Sequence, residues 1–575
     1  MSEAWWRRIA WLALVLALVA LYLPVLDSPF VYDDKIEVVG NNTIRDLGQW
    51  RAIASYNVSR PLLVLSYALD FHAHGLTPRG YHITNLVIAA LAVGAALLMA
   101  EALLVLARVE RPLLRAAAAV ALWALHPMAT EGFTYVTGRS ESLCALCSFA
   151  SLWAWARALE AERPAAGGAA AEGQAAEGAG RRGAAWRLLG LLGFVGAVMT
   201  KEVGAMIPAV ALAMELLLGA RAGTGLRQHL RRTRWAWYAP YLLLVGGAAW
   251  LRLQHATRFL PREVERPPGV QLTTEAAAWL HYLQLWLLPV DQTIFHHLLE
   301  VQPLSLHGVV VLGGWLLVVA LAVAWGRKVP LAGFALLAGA LFLLPSSSIV
   351  ALKESMAEHR ALQTGLWLAL ALVASVRGRA ARPLAYALVP VLGLLAGLTH
   401  LRHRAWTSEV ALWEEATARR PEVADAWYGL GDAHRFGGEF TEARAAYQRV
   451  VDLDPTNLDG WNNLGITLAS LGDLEGARQA WKTALRESPS YCKAHSNLGV
   501  LAAGQKDWEE ALHEYSTALA YCPDNTRAHL GLCELYQGPL RDREKAIHEC
   551  QTFVDLAPTS EQAPRVKDWL LELTF

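Results

Sequence analysis

The sequence predicts an all-α protein in which a polytopic membrane domain is followed by an α-solenoid. Of the 575 residues, 54% are hydrophobic and only 18% are charged, and the mean hydropathy is +0.27. These values are typical of a membrane domain joined to a soluble part, rather than of a single globular enzyme. A repeat of about 34 residues begins near Trp406 and predicts the solenoid. The formal net charge is zero, so bulk electrostatics indicates no nucleic-acid partner.

The first hydrophobic segment, Ile9 to Leu26, is long enough to cross a bilayer with some tilt. Trp5, Trp6, Arg7 and Arg8 precede it, and the positive-inside rule then places the N-terminus in the cytoplasm. No small-x-small cleavage site precedes its polar flank, so we interpret the segment as an uncleaved signal anchor.

Alternating apolar runs and arginine-rich loops predict about eleven crossings within residues 1–400, with the C-terminus outside. The segment 272–290 contains Glu275, His281 and Gln284, and we expect it to be re-entrant or to lie on the membrane surface. Residues 162–184 are rich in Ala, Gly and Glu without apolar periodicity, which predicts a flexible cytoplasmic linker.

Residues 401–575 contain the repeats. Prolines recur every 34 residues, Leu-Gly pairs recur at the same period, and small and aromatic residues occupy fixed phases, as in Pro421 and Pro455, Leu430-Gly431 and Leu464-Gly465, Ala443 and Ala477, and Tyr447 and Trp481. This is the tetratricopeptide (TPR) pattern of paired helices. It predicts repeats at 424–457, 458–491, 492–525 and 526–560, with one further helix on each side.

Two asparagines, Asn463 and Asn497, occupy the same phase of successive repeats. That phase usually faces the concave surface of a TPR superhelix, so we expect these side-chain amides to bind the backbone of a peptide. A simple solvated helix surface is the alternative.

Four of the six cysteines lie in the repeats. Cys492 opens the first helix of the third repeat and Cys522 closes its second, so antiparallel helices bring both to the same edge and allow a disulfide. Cys533 and Cys550 face each other across the fourth helix pair, although burial as small hydrophobes is an alternative. An oxidising compartment would allow both bonds.

Acids and histidines gather in the predicted outer loops, whereas the predicted inner loops contain mainly Arg with Ala and Gly. This asymmetry indicates a membrane enzyme with an outward-facing site. The candidate site residues are Asp33, Asp34, His82, Asn85, His126, Glu131, Arg139, Glu141, Lys201, Glu202, Glu358 and Arg360.

Six short motifs, in order along the chain, indicate a family. They are Val31-Tyr32-Asp33-Asp34, Gly80-Tyr81-His82-x-x-Asn85, His126-Pro127-x-x-Thr130-Glu131, Gly138-Arg139-x-Glu141, Lys201-Glu202 and Arg402-x-x-x-Trp406. Together with the repeats they resemble the transmembrane and TPR-containing O-mannosyltransferases, the TMTC family, in a bacterial form. The resemblance implies a GT-C fold with its active site on the outer face. It also implies transfer of a sugar, typically mannose, from a polyprenyl-phosphate carrier to protein Ser or Thr.

The chain departs from the family pattern at Ala89, Ala129 and Leu362, where His, His and Tyr are expected. These losses weaken the case for a histidine-based metal site. A divalent metal held by Asp33 or Asp34 with His126 and Glu131 remains an option, and no other cofactor is expected. Because Pro127 can simply end a helix, a packing role competes for His126 and Glu131.

Inverting transfer from a lipid phosphate needs a carboxylate base and cations that stabilise the departing phosphate. Asp33 is the expected base, and Asp34 would bind acceptor or sugar, or tune Asp33 through its like charge. Arg139 and Arg360 are the expected phosphate clamps, with Lys201 as an added point charge. The alternative is local ion pairing of these cations, with Glu141, Glu358 and Glu202 respectively.

Two other functions compete with protein O-mannosylation: a GT-C transferase acting on a glycolipid or polysaccharide, and a non-catalytic TPR scaffold. The expected partners are a polyprenyl-phosphate sugar, acceptor proteins bound through the TPR groove, and membrane lipids. The expected location is a bacterial inner membrane with the repeats in the periplasm.

Overall fold

The computed structural model describes residues 3–162, 172–218, 235–254, 266–296, 300–346, 355–376, 381–558 and 560–574. Within these ranges all regular structure is helical, and one isolated bridge joins His296 to Met356. The chain divides into two compact units, Met1–Leu412 and Trp413–Phe575. The predicted all-α fold is confirmed.

The first unit contains most of the long apolar helices. Its helices are α1 (Glu3–Tyr22), α2 (Trp50–Tyr56), α3 (Pro61–His74), α4 (Pro78–Leu106), α5 (Pro112–Ala124), α6 (Thr130–Thr134), α7 (Arg139–Ala161), α8 (Glu172–Val198), α9 (Ile207–Leu218), α10 (Ala239–Gln254), α11 (Pro268–Leu287), α12 (Leu306–Lys328), α13 (Pro330–Leu343), α14 (Leu362–Ser375) and α15 (Ala381–Arg402). Five of them begin at proline, which has no N–H to leave unsatisfied in the first turn.

Four helices of the described chain are long and apolar enough to cross a membrane: Ala4–Val25, Pro78–Leu106, Arg139–Ala161 and Leu306–Lys328. A fifth candidate is the pair Pro112–Ala124 and Pro127–Thr134, which is bent by 69°. Proline at 127 explains the bend, because it cannot continue the helix that precedes it. These helices fit a membrane protein, whereas the count of eleven crossings and the behaviour of 272–290 stay predictions.

The prediction of a flexible linker at 162–184 is wrong for residues 172–184. Helix α8 begins at Glu172 and continues without interruption to Val198. Alanine is the strongest helix former, and several alanines in 172–185 outweigh the cost of the glycines between them. Residues 163–171 lie outside the described ranges.

Close helix packing in this unit depends on small residues. A Cβ placed on Gly193 of α8 would lie 2.9 Å from the carbonyl oxygen of Cys147 in α7. Glycine therefore lets the two backbones approach, as in membrane helix pairs. Cys144, also in α7, is buried with a free thiol, as expected of a small hydrophobe.

The second unit is the TPR solenoid, preceded by a helix that begins in the first unit. The helices are α16 (Glu409–Arg419), α17 (Ala424–Phe436), α18 (Phe440–Leu453), α19 (Leu458–Ser470), α20 (Leu474–Glu487), α21 (Cys492–Gly504), α22 (Trp508–Tyr521), α23 (Thr526–Gln537), α24 (Arg543–Leu556) and α25 (Ala563–Thr574). Each of the four predicted repeats contains one pair of packed helices. A Cβ on Gly465 would lie 2.4 Å from the Trp481 ring, which explains why Leu-Gly recurs opposite an aromatic residue.

Both predicted disulfides are present. Cys492 is bonded to Cys522 with a Cα–Cα distance of 6.1 Å, and Cys533 to Cys550 with a Cα–Cα distance of 4.9 Å. The free cysteines of the described chain are Cys144 and Cys147.

Candidate active site

Segments that the sequence places in outer loops meet one another in the first unit. The contacts join His82 Nε2 to the Ser28 carbonyl at 3.0 Å, the Thr137 N–H to Asp34 at 2.8 Å, Asn85 Nδ2 to the Tyr135 carbonyl at 2.9 Å, and His359 Nδ1 to Glu131 at 3.1 Å. Loops far apart in sequence therefore form one polar region.

The two adjacent carboxylates of this region differ in environment. Asp33 is exposed, whereas Asp34 is 1% exposed. Asp34 accepts the N–H of Val31 at 3.2 Å and the N–H of Thr137 at 2.8 Å. Burial raises the pKa of Asp34 to about 7, although these hydrogen bonds oppose the shift. Asp34 thus fixes the loop that presents Asp33.

The backbone around Asp33 is held in an unusual conformation. Tyr32 has a φ of 50°, in the left-handed region that a bulky residue seldom adopts. The Asp33 N–H donates to the Tyr135 hydroxyl at 2.8 Å, and the Tyr135 ring packs on Trp406 at 5.6 Å between centroids. Strain of this kind is concentrated at functional sites. Tyr135 lies between two motifs, belongs to neither, and was not among the predicted site residues.

Arg139 does not pair with Glu141 and is not placed to clamp a phosphate. Its side chain is fully buried and forms an ion pair with Asp70. Its other donors bond Asn85 Oδ1 at 2.6 Å, Ser66 Oγ at 3.1 Å and the Tyr81 carbonyl at 3.1 Å. With the guanidinium donors in use, Arg139 and Asn85 join α3, α4 and α7 instead. Asp70, a lone carboxylate in an apolar helix, was the signal for this partner.

Lys201 also has a different partner from the one expected. Its ammonium pairs with Glu141, and both side chains are at most 5% exposed. The neighbouring Glu202 pairs with Arg60 at 3.2 Å. Glu202 raises the pKa of Arg60 above its ordinary value, with smaller contributions from Glu141 and Glu37. The expectation that Lys201 offers a point charge to phosphate is therefore corrected: the cation is already neutralised in a buried pair.

Glu131 and Glu358 each accept hydrogen bonds from a segment that is distant in sequence. Glu131 is 3% exposed and accepts both the N–H of His359 at 3.0 Å and its Nδ1–H at 3.1 Å. Glu358 does not pair with Arg360; it accepts hydrogen bonds from Gln292 Nε2 (2.8 Å), the Thr293 N–H (2.8 Å) and His296 Nε2 (2.9 Å).

A further arginine, Arg402, interacts electrostatically with both Glu131 and Glu358. Burial opposes ionisation of Glu358, but Arg402 and His296 outweigh it and hold the pKa of Glu358 below its ordinary value. The charge of Arg402 also acts on Glu131. Arg402 was not among the predicted site residues, although it opens the last sequence motif, and its charge acts on two of them.

Arg360 is the half-buried cation among the expected phosphate clamps, and its charge acts on Glu275.

His126 is buried against Trp286, with ring centroids 4.4 Å apart, and its Nδ1 accepts the Met128 N–H at 3.2 Å. Both oxygens of Asp34 already accept backbone N–H groups, so Asp34 is poorly placed for the metal site considered above. Within the described ranges, no three His, Cys, Asp or Glu side chains are grouped to hold a metal ion.

The TPR asparagines are not open amides. Asn463 donates to the Tyr428 hydroxyl at 2.9 Å and Asn497 donates to Asn462 Oδ1 at 2.7 Å, and both are less than 9% exposed. Asn497 also accepts a hydrogen bond from Arg527. The amides therefore link neighbouring repeats, which corrects the expectation that they face a peptide.

Comparison with known proteins adds an independent line of evidence. Models described as tetratricopeptide repeat match residues 394–457, 446–479 and 492–525. Protein O-mannosyl-transferase F38B6.6 of Caenorhabditis elegans is 24% identical over 480 residues, which cover 76% of this chain and 61% of that protein. The chain resembles the TMTC protein O-mannosyl-transferases.

Shorter matches agree with this result. Protein O-mannosyl-transferase Tmtc1 of Drosophila melanogaster is 33% identical over 140 residues, 22% of this chain and 16% of that protein. TMTC4 of Homo sapiens is 29% identical over 174 residues, 26% of this chain and 23% of that protein. The chain therefore spans less than two thirds of the length of these relatives. Among solved structures, a thermophilic TPR protein of Thermus thermophilus is 23% identical with a TM-score of 0.26, over 33% of this chain and 98% of that one.

The six sequence motifs have different structural roles. A Cβ on Gly138 would lie 2.3 Å from the Glu131 carbonyl oxygen, so this motif glycine permits a close backbone approach. Leu362 packs at the position a Gly132 side chain would occupy. Most motif residues thus shape the region, and Asp33 is the exposed carboxylate among them.

Proposed function

We propose that the chain is a membrane glycosyltransferase that transfers a sugar from a polyprenyl-phosphate carrier to Ser or Thr hydroxyls of proteins, with mannose as the first sugar to test. The observation on which this rests is an exposed carboxylate, Asp33, on a loop that the buried Asp34 holds in place. The resemblance to protein O-mannosyl-transferases supports the reaction class.

In the proposed reaction Asp33 acts as general base. It takes the proton of the acceptor hydroxyl while the hydroxyl oxygen attacks the anomeric carbon of the sugar. The bond from that carbon to the phosphate oxygen breaks, and the electron pair leaves with the phosphate. The anomeric configuration is inverted. Asp34 acts by positioning the loop; burial, and to a smaller extent the like charge of Asp33, raise the pKa of Asp34.

The departing phosphate needs a cation, and Arg360 is the proposed one. Arg360 is half-buried on the turn Glu358–Ala361, whereas the side chains of Arg139 and Lys201 are buried. A guanidinium can hold phosphate through two parallel hydrogen bonds. Arg402, which acts on both Glu131 and Glu358, would keep this turn in place.

A hydrocarbon carrier needs an apolar cavity. One of about 600 Å³ lies between the loop before α3, the end of α8 and helix α10, with Val58, Val198, Met199, Leu243 and Trp250 in its lining. Glu202, the partner of Arg60, is a charged residue in the same lining. An isoprenoid chain is chemically suited to such a cavity.

The TPR domain is proposed to recruit the acceptor proteins, because TPR domains generally bind protein partners through their superhelical surface. In the predicted topology the repeats and the Asp33 loop lie on the outer side of a bacterial inner membrane. A GT-C architecture is proposed for the first unit on the strength of the family resemblance.

The proposal can be tested by intact-mass analysis of exported proteins from cells with and without the gene. Hexose-sized mass increments that require the gene would support protein O-glycosylation. A change confined to glycolipid or polysaccharide would contradict the proposed acceptor and favour the alternative transferase. No change in any glycan would contradict the enzyme and favour a scaffold.

A further inference from the structure

A second apolar crevice lies at the opposite end of α1 from Asp33. It has a volume of about 390 Å³ and is lined by side chains of α1, α4 and α7, among them Trp11, Leu91, Leu98, Ala150 and Trp153. Arg7 and Arg8 also line it. An apolar crevice with cations in its lining is the arrangement expected of a site for an amphiphile with an anionic head.

The charge in the crevice is set by one arginine. Arg7 donates through Nε to both carboxylate oxygens of Glu101, at 2.9 Å and 2.7 Å, which neutralises it and joins α1 to α4. Arg8 is exposed and forms no ion pair with any described residue. The described lining therefore has a net charge of about one positive unit, which complements a monoanionic group.

The aromatic residues at this end of the helices are typical of a membrane interface. Trp5 and Trp6 are 43% and 48% exposed on the turn that contains the two arginines. Trp153, in the crevice lining, contacts Trp186 with ring centroids 5.1 Å apart. Tryptophan prefers the headgroup level of a bilayer. An apolar chain in the crevice would thus have its head at the depth where lipid phosphates lie.

We propose that this crevice binds one anionic phospholipid, with an acyl chain against Trp11 and Ala150 and the phosphate on Arg8. The occupant is a lipid rather than a soluble phosphate because most of the lining is apolar and opens to the membrane-facing side of α1 and α4, where Leu12 and Leu91 are exposed. Tyr22 lies fourteen helical steps, or about 21 Å, from Arg8, so this site is separate from the Asp33 loop and does not depend on the proposed function.

The test uses the full-length protein in detergent with equimolar phosphatidylglycerol and phosphatidylcholine, followed by native mass spectrometry of the retained lipid. Wild type should retain phosphatidylglycerol in preference to phosphatidylcholine. Arg8→Gln should lower that preference about fivefold, since one arginine near a lipid surface contributes roughly that much. Arg51→Gln, which removes an exposed arginine on α2, is the matched control and should leave the preference unchanged.

A space-filling variant tests the role of the crevice volume separately from the role of its positive charge. Ala150→Phe should reduce retention of both lipids while Arg8 remains, and Leu98→Trp provides the same test from α4 if Ala150→Phe melts below wild type. Equal retention of the two lipids by wild type would overturn the proposal. So would an Arg8→Gln effect no larger than that of Arg51→Gln.

Discussion

Asp33 and Asp34 are neighbours in the chain but lie in opposite environments: Asp33 is exposed, and Asp34 is buried with its oxygens bonded to the N–H groups of Val31 and Thr137. One carboxylate can therefore reach a substrate while the other fixes the loop. The sequence separation of 103 between Asp34 and Thr137 shows that tertiary structure holds this loop in addition to its own turn.

The buried carboxyl predicts a pH dependence of stability. The folded-state pKa of Asp34, about 7, lies above its ordinary value of 3.8. The folded protein thus holds the proton more tightly than the unfolded chain, so this stabilisation is complete below about pH 4 and is lost as the pH rises to about 7. Relative to Asp34→Asn, wild type should lose up to about 4 kcal/mol over this range.

Apparent melting temperatures of the purified protein between pH 4 and pH 8 measure this effect. Asp27→Asn changes a carboxylate that is 72% exposed and should follow the wild-type curve. Parallel curves for wild type and Asp34→Asn would show that Asp34 does not titrate in this window.

Much of the fold could be predicted from sequence because its signals are periodic. The 34-residue spacing located all four helix pairs of the solenoid, and the phase of Cys492 and Cys522 located a disulfide. The start of α8 was missed because glycine and alanine have opposite helix propensities, and hydrophobic periodicity does not reveal which one prevails.

The sequence indicated which polar residues lie in the candidate region, but it did not indicate which of them pair with one another. Sequence neighbours were expected to pair, yet Lys201 bonds Glu141 rather than Glu202, and Arg139 bonds Asp70 rather than Glu141. Arg139 and Glu141 are two apart on α7, where side chains at that spacing point away from each other. Lys201 has an extended backbone before the turn that contains Glu202. Their partners are therefore chosen by tertiary packing, which motif spacing does not encode.

The buried ion pair of Arg139 predicts a structural phenotype. Arg139→Met leaves Asp70 buried without its partner and should destabilise the protein by about 3–5 kcal/mol. Arg79→Met removes an exposed partner of Asp27 and should cost at most about 1 kcal/mol. Thermal melting of both variants measures the difference. A variant Arg139→Met that melts like wild type but fails in sugar transfer would restore Arg139 as a phosphate clamp.

The disulfides predict a simple thiol count. When the unreduced full-length protein is denatured and alkylated after expression in an oxidising compartment, Cys144 and Cys147 should react, and all six cysteines should react after reduction. Replacing Cys492 and Cys522 by alanine should destabilise the repeats by about 2–4 kcal/mol. Peptide mapping identifies the linkages, and six reactive thiols without reductant would contradict them.

The central claim is that Asp33 is the general base of a sugar transfer. Asp33→Asn should leave the melting temperature near that of wild type, because the side chain is exposed and the amide has almost the same size. The decisive measurement is the rate at which purified wild type, Asp33→Asn and the control Asp27→Asn transfer mannose from polyprenyl-phosphate mannose to a Ser/Thr acceptor. We expect the transfer rate to fall by a factor of about 10² to 10⁴ for Asp33→Asn and to stay unchanged for Asp27→Asn. A wild-type rate in folded Asp33→Asn would contradict it.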